Sequence, residues 1–199
     1  KGLNIYDREK NEVQHYSAAF QGKMHLPDNH VHVIFRDRHS RVWLGTRNGV
    51  CVFSSETGSF IPFQEYFGVE DAGYFNGNRV YCIIEDSAGR IWMGTGNGIF
   101  ILDPVTKHTR VLQSGNTTRP SVSSNLVYSL LEDREQHIWI ATSNGLDRYV
   151  PAEDRIYRYF RDPASAHTLS DNYVISLCED FAGTIWIGTN TGVTRFSKS

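Results

Sequence analysis

At 199 residues and a net charge of −2, the chain offers no basic stripe, which argues against nucleic acid or anionic lipid as a partner. Its apolar runs reach only four or five residues, far short of the ~20 that cross a bilayer, so direct membrane insertion by this chain is not expected. Three cysteines, Cys51, Cys82 and Cys178, give no disulfide framework and read as small buried hydrophobes in strands.

In chain order, the first predicted elements are a strand over Gly2–Asp7 and another over Val13–Tyr16. A connection, Ala18–Asn29, leads into a longer unit, Asn29–Gln64, whose last strand is expected over Ser59–Phe63. The loop from Glu65 to Phe75 is the most individual stretch of the chain. A second unit, from Asn78, shows its parts most clearly. An apolar run at Val80–Ile84 is followed by Ile91–Met93, a tight turn at Thr95–Gly98, a run at Ile99–Leu102 and a weaker one at Thr109–Gln113. The polar loop Ser114–Ser124 precedes a third unit, Asn125–Phe160. The connection Arg161–Asp171 precedes a fourth, which starts at Asn172 and closes with Gly192–Phe196. No stretch shows helical periodicity.

These units repeat. The four tryptophans, Trp43, Trp92, Trp139 and Trp186, stand 49, 47 and 47 residues apart, and a fixed period in this range marks a repeat architecture. Short β-branched and aromatic runs between Gly/Asn/Asp clusters are hairpin signals. The first three runs of a unit are apolar on both faces, so each small sheet must be covered on both sides. A four-stranded sheet that recurs in this way is a blade of a β-propeller. The expected fold is therefore all-β, with antiparallel blades at about 29–75, 76–122 and 123–169 between partial blades at 1–28 and 170–199. The chain opens on third and fourth strands and closes on a first, second and third. It is thus expected to be part of a larger propeller, whose remaining blades, or further copies in a homo-oligomer, cover the apolar faces of the end blades.

Several columns align within the chain itself. Asp37, Asp86, Asp133 and Asp180 open the turn between first and second strands, where an Asp side chain bonds nearby backbone amides. Three residues on, Ser40, Gly89, Gln136 and Gly183 occupy a position that calls for left-handed backbone. Two residues after each tryptophan stands Gly45, Gly94, Ala141 or Gly188, small enough to let the next blade approach. All four tryptophans are expected to be buried between blades at equivalent positions. Asn29, Asn78, Asn125 and Asn172 each lie eight residues before the turn Asp. Turn chemistry explains them; the alternative is that their amides face the central channel and contact a ligand.

The pattern Ser-Asn-x-Val-x-x-x-x-Glu-Asp-x-x-Gly-x-Ile-Trp-x-Gly-Thr-x-x-Gly is met closely in Ser170–Gly192 and in Asn78–Gly98, and it resembles the two-component regulator propeller repeat. The departures are Ser40, Gln136 and Ala141. The resemblance implies the periplasmic sensor region of a membrane-anchored hybrid histidine kinase, with propellers usually of seven blades and an oligosaccharide as a frequent signal. None of the kinase parts is present in this sequence.

Other chemistry is weakly represented. His30 and His32 share a strand face with His25 nearby, but zinc wants three or four ligands in closed geometry, so no metal or other cofactor is expected. The Gly94–Gly98 turn lacks the lysine and helix of a phosphate loop. A glycosidase needs a convergent carboxylate pair, for which only Glu65, Glu70 and Asp71 cluster in a non-repeated loop; an exposed acidic loop is the usual explanation of such a cluster, so no catalytic residue is assigned and no enzyme is expected. The face carrying the blade connections offers Tyr66, Phe67, Tyr74, Phe75, His30, Arg47, Arg79, Asn125 and Asn172. Of these, His30, Arg47, Tyr66, Tyr74, Arg79, Asn125 and Asn172 are the candidate contacts for an oligosaccharide or other small-molecule signal, since aromatic faces and planar polar groups suit sugar rings. The competing readings are a purely structural or dimerisation scaffold and a propeller glycosidase or lyase.

Overall fold

The computed structural model describes residues 1–18, 26–69, 73–75, 77–116 and 120–197; His25, Glu70 and Asp71 lie outside the described residues. Strands β1 (Leu3–Asp7) and β2 (Glu12–Tyr16) make a two-stranded half-blade. Blade 1 comprises β3 (Val31–Arg36), β4 (Val42–Thr46), β5 (Gly49–Ser54) and β6 (Ser59–Pro62). Blade 2 comprises β7 (Val80–Glu85), β8 (Ile91–Thr95), β9 (Gly98–Leu102) and β10 (Thr109–Leu112). Blade 3 comprises β11 (Val127–Glu132), β12 (Ile138–Thr142), β13 (Gly145–Val150) and β14 (Arg155–Tyr159). Blade 4 has β15 (Val174–Glu179), β16 (Ile185–Thr189) and β17 (Gly192–Phe196). Every sheet is an antiparallel meander in sequence order, and the first strands β3, β7, β11 and β15 are neighbours from blade to blade. The sheets therefore fan around a common axis with their first strands innermost.

The turn Asp does more than cap a turn. Its Oδ1 accepts backbone N–H groups of the turn, and its Oδ2 accepts the indole Nε1–H six residues on. The distances are 2.8 Å for Trp43 on Asp37, 2.7 Å for Trp92 on Asp86, 2.7 Å for Trp139 on Asp133 and 2.8 Å for Trp186 on Asp180. Burial would raise the Asp37 carboxyl, but the bonds from Trp43 and Arg41 outweigh it and hold it below its ordinary value. Ser40 and Gln136 take the left-handed backbone of Gly89 and Gly183, with φ of 63°, 64°, 81° and 82°.

Each apolar layer joins one blade's tryptophan to the next blade's first strand. Trp43 packs with Val80, Trp92 with Val127 and Trp139 with Val174. The small column makes this approach possible: a Cβ at Gly94 would lie 2.4 Å from Cys82 Sγ and 2.9 Å from Val127 Cγ1. Two polar latches reinforce the layers. Glu85, Glu132 and Glu179 each accept the turn amide of the preceding blade, from Arg38 at 2.7 Å, Ser87 at 2.8 Å and Arg134 at 3.1 Å. At the other end, Gly2, Gly49, Gly98 and Gly145 donate their N–H groups to the carbonyls of Asn29, Asn78, Asn125 and Asn172 in the next blade.

Three expectations need correction. Trp186 is 42% exposed, because its face of blade 4 meets no following blade in this chain; Val193 and Ile175 on that blade are exposed as well. Cys178 is exposed on the same blade, whereas Cys51 is buried and Cys82 half-buried. A short helix, α1 (Phe63–Phe67), follows β6. It wedges between blades 1 and 2, with Phe67 stacked on Trp43 (centroids 5.2 Å apart, 13°) and Phe63 edge-on to Phe75 and Phe100. Five residues are too few to display a helical period.

Candidate functional site

The inner strands carry a shared irregularity at the end where the blade connections enter. In each, the register with the second strand skips one residue: His32 in β3, Tyr81 in β7, Tyr128 in β11 and Ile175 in β15. A bulge re-aims the side chain at the skipped position. Because the inner strands are neighbours, the re-aimed rings meet from blade to blade along the axial side of the arc. His32 lies 5.8 Å from Tyr81, Tyr81 5.3 Å from Tyr128, and Tyr128 5.2 Å from Tyr173, which stands just before β15. The Tyr128 and Tyr173 hydroxyls are hydrogen-bonded to each other. Partial burial, followed by that bond, raises the Tyr128 phenol well above its ordinary value.

Cationic side chains gather at the His32 end. The Arg79 guanidinium sits 5.7 Å over the Tyr81 ring and 3.4 Å from its hydroxyl. The Arg47 amide donates to the His30 carbonyl at 3.0 Å, which fixes the β4–β5 turn beside His30. Asp28 Oδ1 accepts from the His30 backbone at 2.7 Å and lies 2.9 Å from its Nδ1. The His32 imidazole is held below its ordinary value by burial first, then by the positive charges of Arg79, His30 and Arg47, with Asp28 opposing them.

The residues expected from the sequence thus divide. His30, Arg47 and Arg79 come together at this axial rim. Asn125 and Asn172 lie near it, but their Oδ1 atoms accept from the Ser114 and Arg161 amides at 2.7 and 2.6 Å and so hold the incoming connection. Tyr74 is packed against Phe75 and Phe100, and its hydroxyl binds Thr95 Oγ1 and the Asn97 carbonyl at 3.0 and 2.8 Å. Burial pushes that hydroxyl up to about 12, so Tyr74 anchors the loop to the β8–β9 turn. Tyr66 packs on Phe67, which rests on Trp43 beside the Asp37 turn, at the opposite end of the blade from Arg47. The Tyr81–Tyr128–Tyr173 ladder was not among the expected contacts. Its trace in the sequence is the position five residues before each turn Asp, which reads His, Tyr, Tyr, Ile.

Two other features are less suited to ligand chemistry. Asp133, Glu135 and His137 are close enough to share an ion, with His137 Nδ1 3.3 Å from Glu135 Oε2. His137, however, occupies the place of Arg41 and Arg90, which pair with their own turn Asp at 2.5 and 2.6 Å, and Asp133 Oδ2 already accepts from Trp139. A cleft of about 910 Å³ lies between blades 3 and 4, but one wall is the unpaired edge of β17.

The profile of the two component regulator propeller family matches the chain four times, at residues 25–48, 74–97, 121–144 and 168–191. A search of curated proteins returned no match. Among solved structures, the extracellular domain of the hybrid two component system BT4673 from B. thetaiotaomicron superposes with a TM-score of 0.80 at 22% identity, over 98% of this chain and 24% of that one. PorZ, a surface component of the type-IX secretion system of Porphyromonas gingivalis, gives a TM-score of 0.70 at 20% identity, over 97% and 28%. A streptogramin B lyase gives 0.56 at 19%, over 86% and 55%. At such identities the likeness shows the fold, and the chain spans about a quarter of the length of the BT4673 domain. Among the described residues no helix is long and apolar enough to cross a membrane. With its four matched repeats set on four successive sheets of one arc, the chain belongs to the two component regulator propeller family.

Proposed function

We propose that this chain is part of the extracytoplasmic sensing propeller of a hybrid two component kinase, and that it binds a carbohydrate signal on its axial side. The observation that carries this reading is the ladder of His32, Tyr81, Tyr128 and Tyr173. Successive rings with hydroxyl groups at their edges stack on sugar faces and bond sugar hydroxyls. Each rung comes from a different blade, so an occupant that touches several rungs ties blades together and favours one spacing between them. In a longer receptor, that bias is what would pass toward a kinase. The expected result in calorimetric titration with oligosaccharides is saturable binding that is lost in Tyr128→Leu, with no turnover of the labelled sugar. Turnover would instead establish a glycosidase or lyase.

A scaffold reading is favoured by a separate observation, the exposed apolar face of Trp186 and Val193 on blade 4. On that reading further blades, or another copy of the chain, cover this face. Light scattering at tens of micromolar separates the cases, since a clean monomer that does not associate removes self-assembly.

A further inference from the structure

We infer that the axial ladder selects its ligand by charge: its His32 end receives an acidic group, a carboxylate or a sulfate ester, carried on a sugar whose rings lie along Tyr81, Tyr128 and Tyr173. This rests on the carbohydrate reading above and names the class of sugar.

The ladder is asymmetric. Its Tyr173 end is neutral ring and hydroxyl, and the nearby Asp171 carboxylate is turned onto the Tyr173 amide at 2.8 Å. Arg47, Arg79 and the two histidines stand at the opposite end. Neither Arg47 nor Arg79 is in an ion pair among the described residues. Among the described residues the Arg79 guanidinium stacks on the Tyr81 ring and bonds its hydroxyl, and Asp28, the carboxylate whose charge is felt at His32 and on which the Arg47 charge acts, is already bonded to His30. A guanidinium presents a planar fork of donors that fits a carboxylate or sulfate, and charge-assisted bonds of this kind are shorter and stronger than neutral ones. Here the fork is already oriented by a ring stack, so little freedom is lost when an anion arrives. Arg47 sits on the β4–β5 turn and Arg79 on the chain entering β7, so the acid would bridge blades 1 and 2 while the sugar rings reach blades 3 and 4. Protonation of His32 at acid pH adds positive charge at the same place, where the charged groups facing it are Asp28, His30, Arg47 and Arg79.

The test is calorimetric titration of this chain with three short oligosaccharides: a neutral cello-oligosaccharide, an oligogalacturonate and a sulfated heparin-type oligosaccharide. Each is run at low and at 0.3 M salt. The expected result is at least tenfold tighter binding of one or both acidic sugars than of the neutral one, with the advantage shrinking in salt and disappearing in the Arg47→Gln, Arg79→Gln double variant. Whichever acidic sugar binds identifies the acid as carboxylate or sulfate. Equal binding of all three would overturn the charge inference while leaving the carbohydrate reading intact. An acidic preference that survives in the double variant would overturn it too, by placing the acid elsewhere. Binding of none, by a chain whose melting transition is cooperative, would remove both. Both arginines lie outside the apolar layers, so the double variant is expected to melt with the parent, which confirms that any lost binding is local.

Discussion

The Nε1–H of Trp92 donates to Oδ2 of Asp86 at 2.7 Å, in a place where both side chains are buried. The indole thereby fills the gap to the next blade while its one polar atom is satisfied by the turn that begins its own strand. The same carboxylate oxygen accepts from Arg90 Nε at 2.6 Å, so turn, strand and blade face are set by one Asp.

Removing Trp92 is expected to cost about 3–5 kcal/mol, the range for a large buried aromatic. Trp186 makes the same bond to Asp180 at 2.8 Å but is half exposed, and Trp186→Ala is expected to cost less than half as much. Urea unfolding of the two variants checks this. Equal losses would mean that the bond, and not burial between blades, dominates.

Gly94→Ala is expected to destabilise by about 1–3 kcal/mol, because its new methyl would meet Cys82 Sγ and Val127 Cγ1 at once. Pairing it with Val127→Ala opens space on one side and should recover part of the loss. A thermal melt of the single and double variants decides; a single variant as stable as the parent would show that the first strands shift readily.

Glu132→Ala is expected to weaken the Ser87 turn of blade 2 more than its own blade, since Glu132 Oε1 accepts the Ser87 amide at 2.8 Å. The cost is about 0.5–1.5 kcal/mol, as for one hydrogen bond at a partly exposed site. Amide exchange is the suitable measurement, with faster exchange expected at Ser87.

The pH dependence should carry two opposing contributions. Asp147 is fully buried on β13, and burial pushes its carboxyl up to about 6 despite bonds from Ser123 and the charge of Arg158. A raised folded value means stability that is complete below 3.8 and lost as pH climbs toward 6. Asp37 and Asp180 are held below 3.8, the first by bonds that outweigh burial and the second mainly by Trp186, so their contribution is present above that value and fades as pH falls. Asp147→Asn should therefore raise the melting temperature at pH 7 and leave it nearly unchanged at pH 4. A variant less stable at both would show that the ionised carboxylate is needed to hold Ser123.

The blade plan was legible because each unit repeats the same few constraints, and four copies in one chain supply their own alignment. The left-handed turn position could be read even through Ser40 and Gln136, since their neighbours in the column are glycines. The Glu column was less legible: its partner lies 45 or more residues away in the preceding blade, and nothing in a single unit shows that separation. The axial rings are less legible than Tyr66 and Tyr74, which stand in a loop dense in aromatic residues, because each ring is a single residue within or just before a strand. The decisive feature was a one-residue bulge in an otherwise regular strand. A bulge leaves no sequence mark except a polar or aromatic residue at a position that strand alternation would treat as ordinary.

The Glu latch always reaches backward. Blades 2 to 4 each carry in their own sequence both the Asp that fastens the tryptophan and the Glu that fastens the turn before it. A unit copied whole therefore arrives with every bond it must give, and the copy beside it supplies every bond it must receive. Arrays built on this plan can gain or lose entire blades without stranding half of a pair. A pair is stranded only where a turn has no following blade to supply its Glu. Arg36 holds the same place in blade 1, behind a half-blade with no such turn, and it turns instead to Ser40 Oγ in its own blade at 2.8 Å, where Glu85, Glu132 and Glu179 reach across to the blade before.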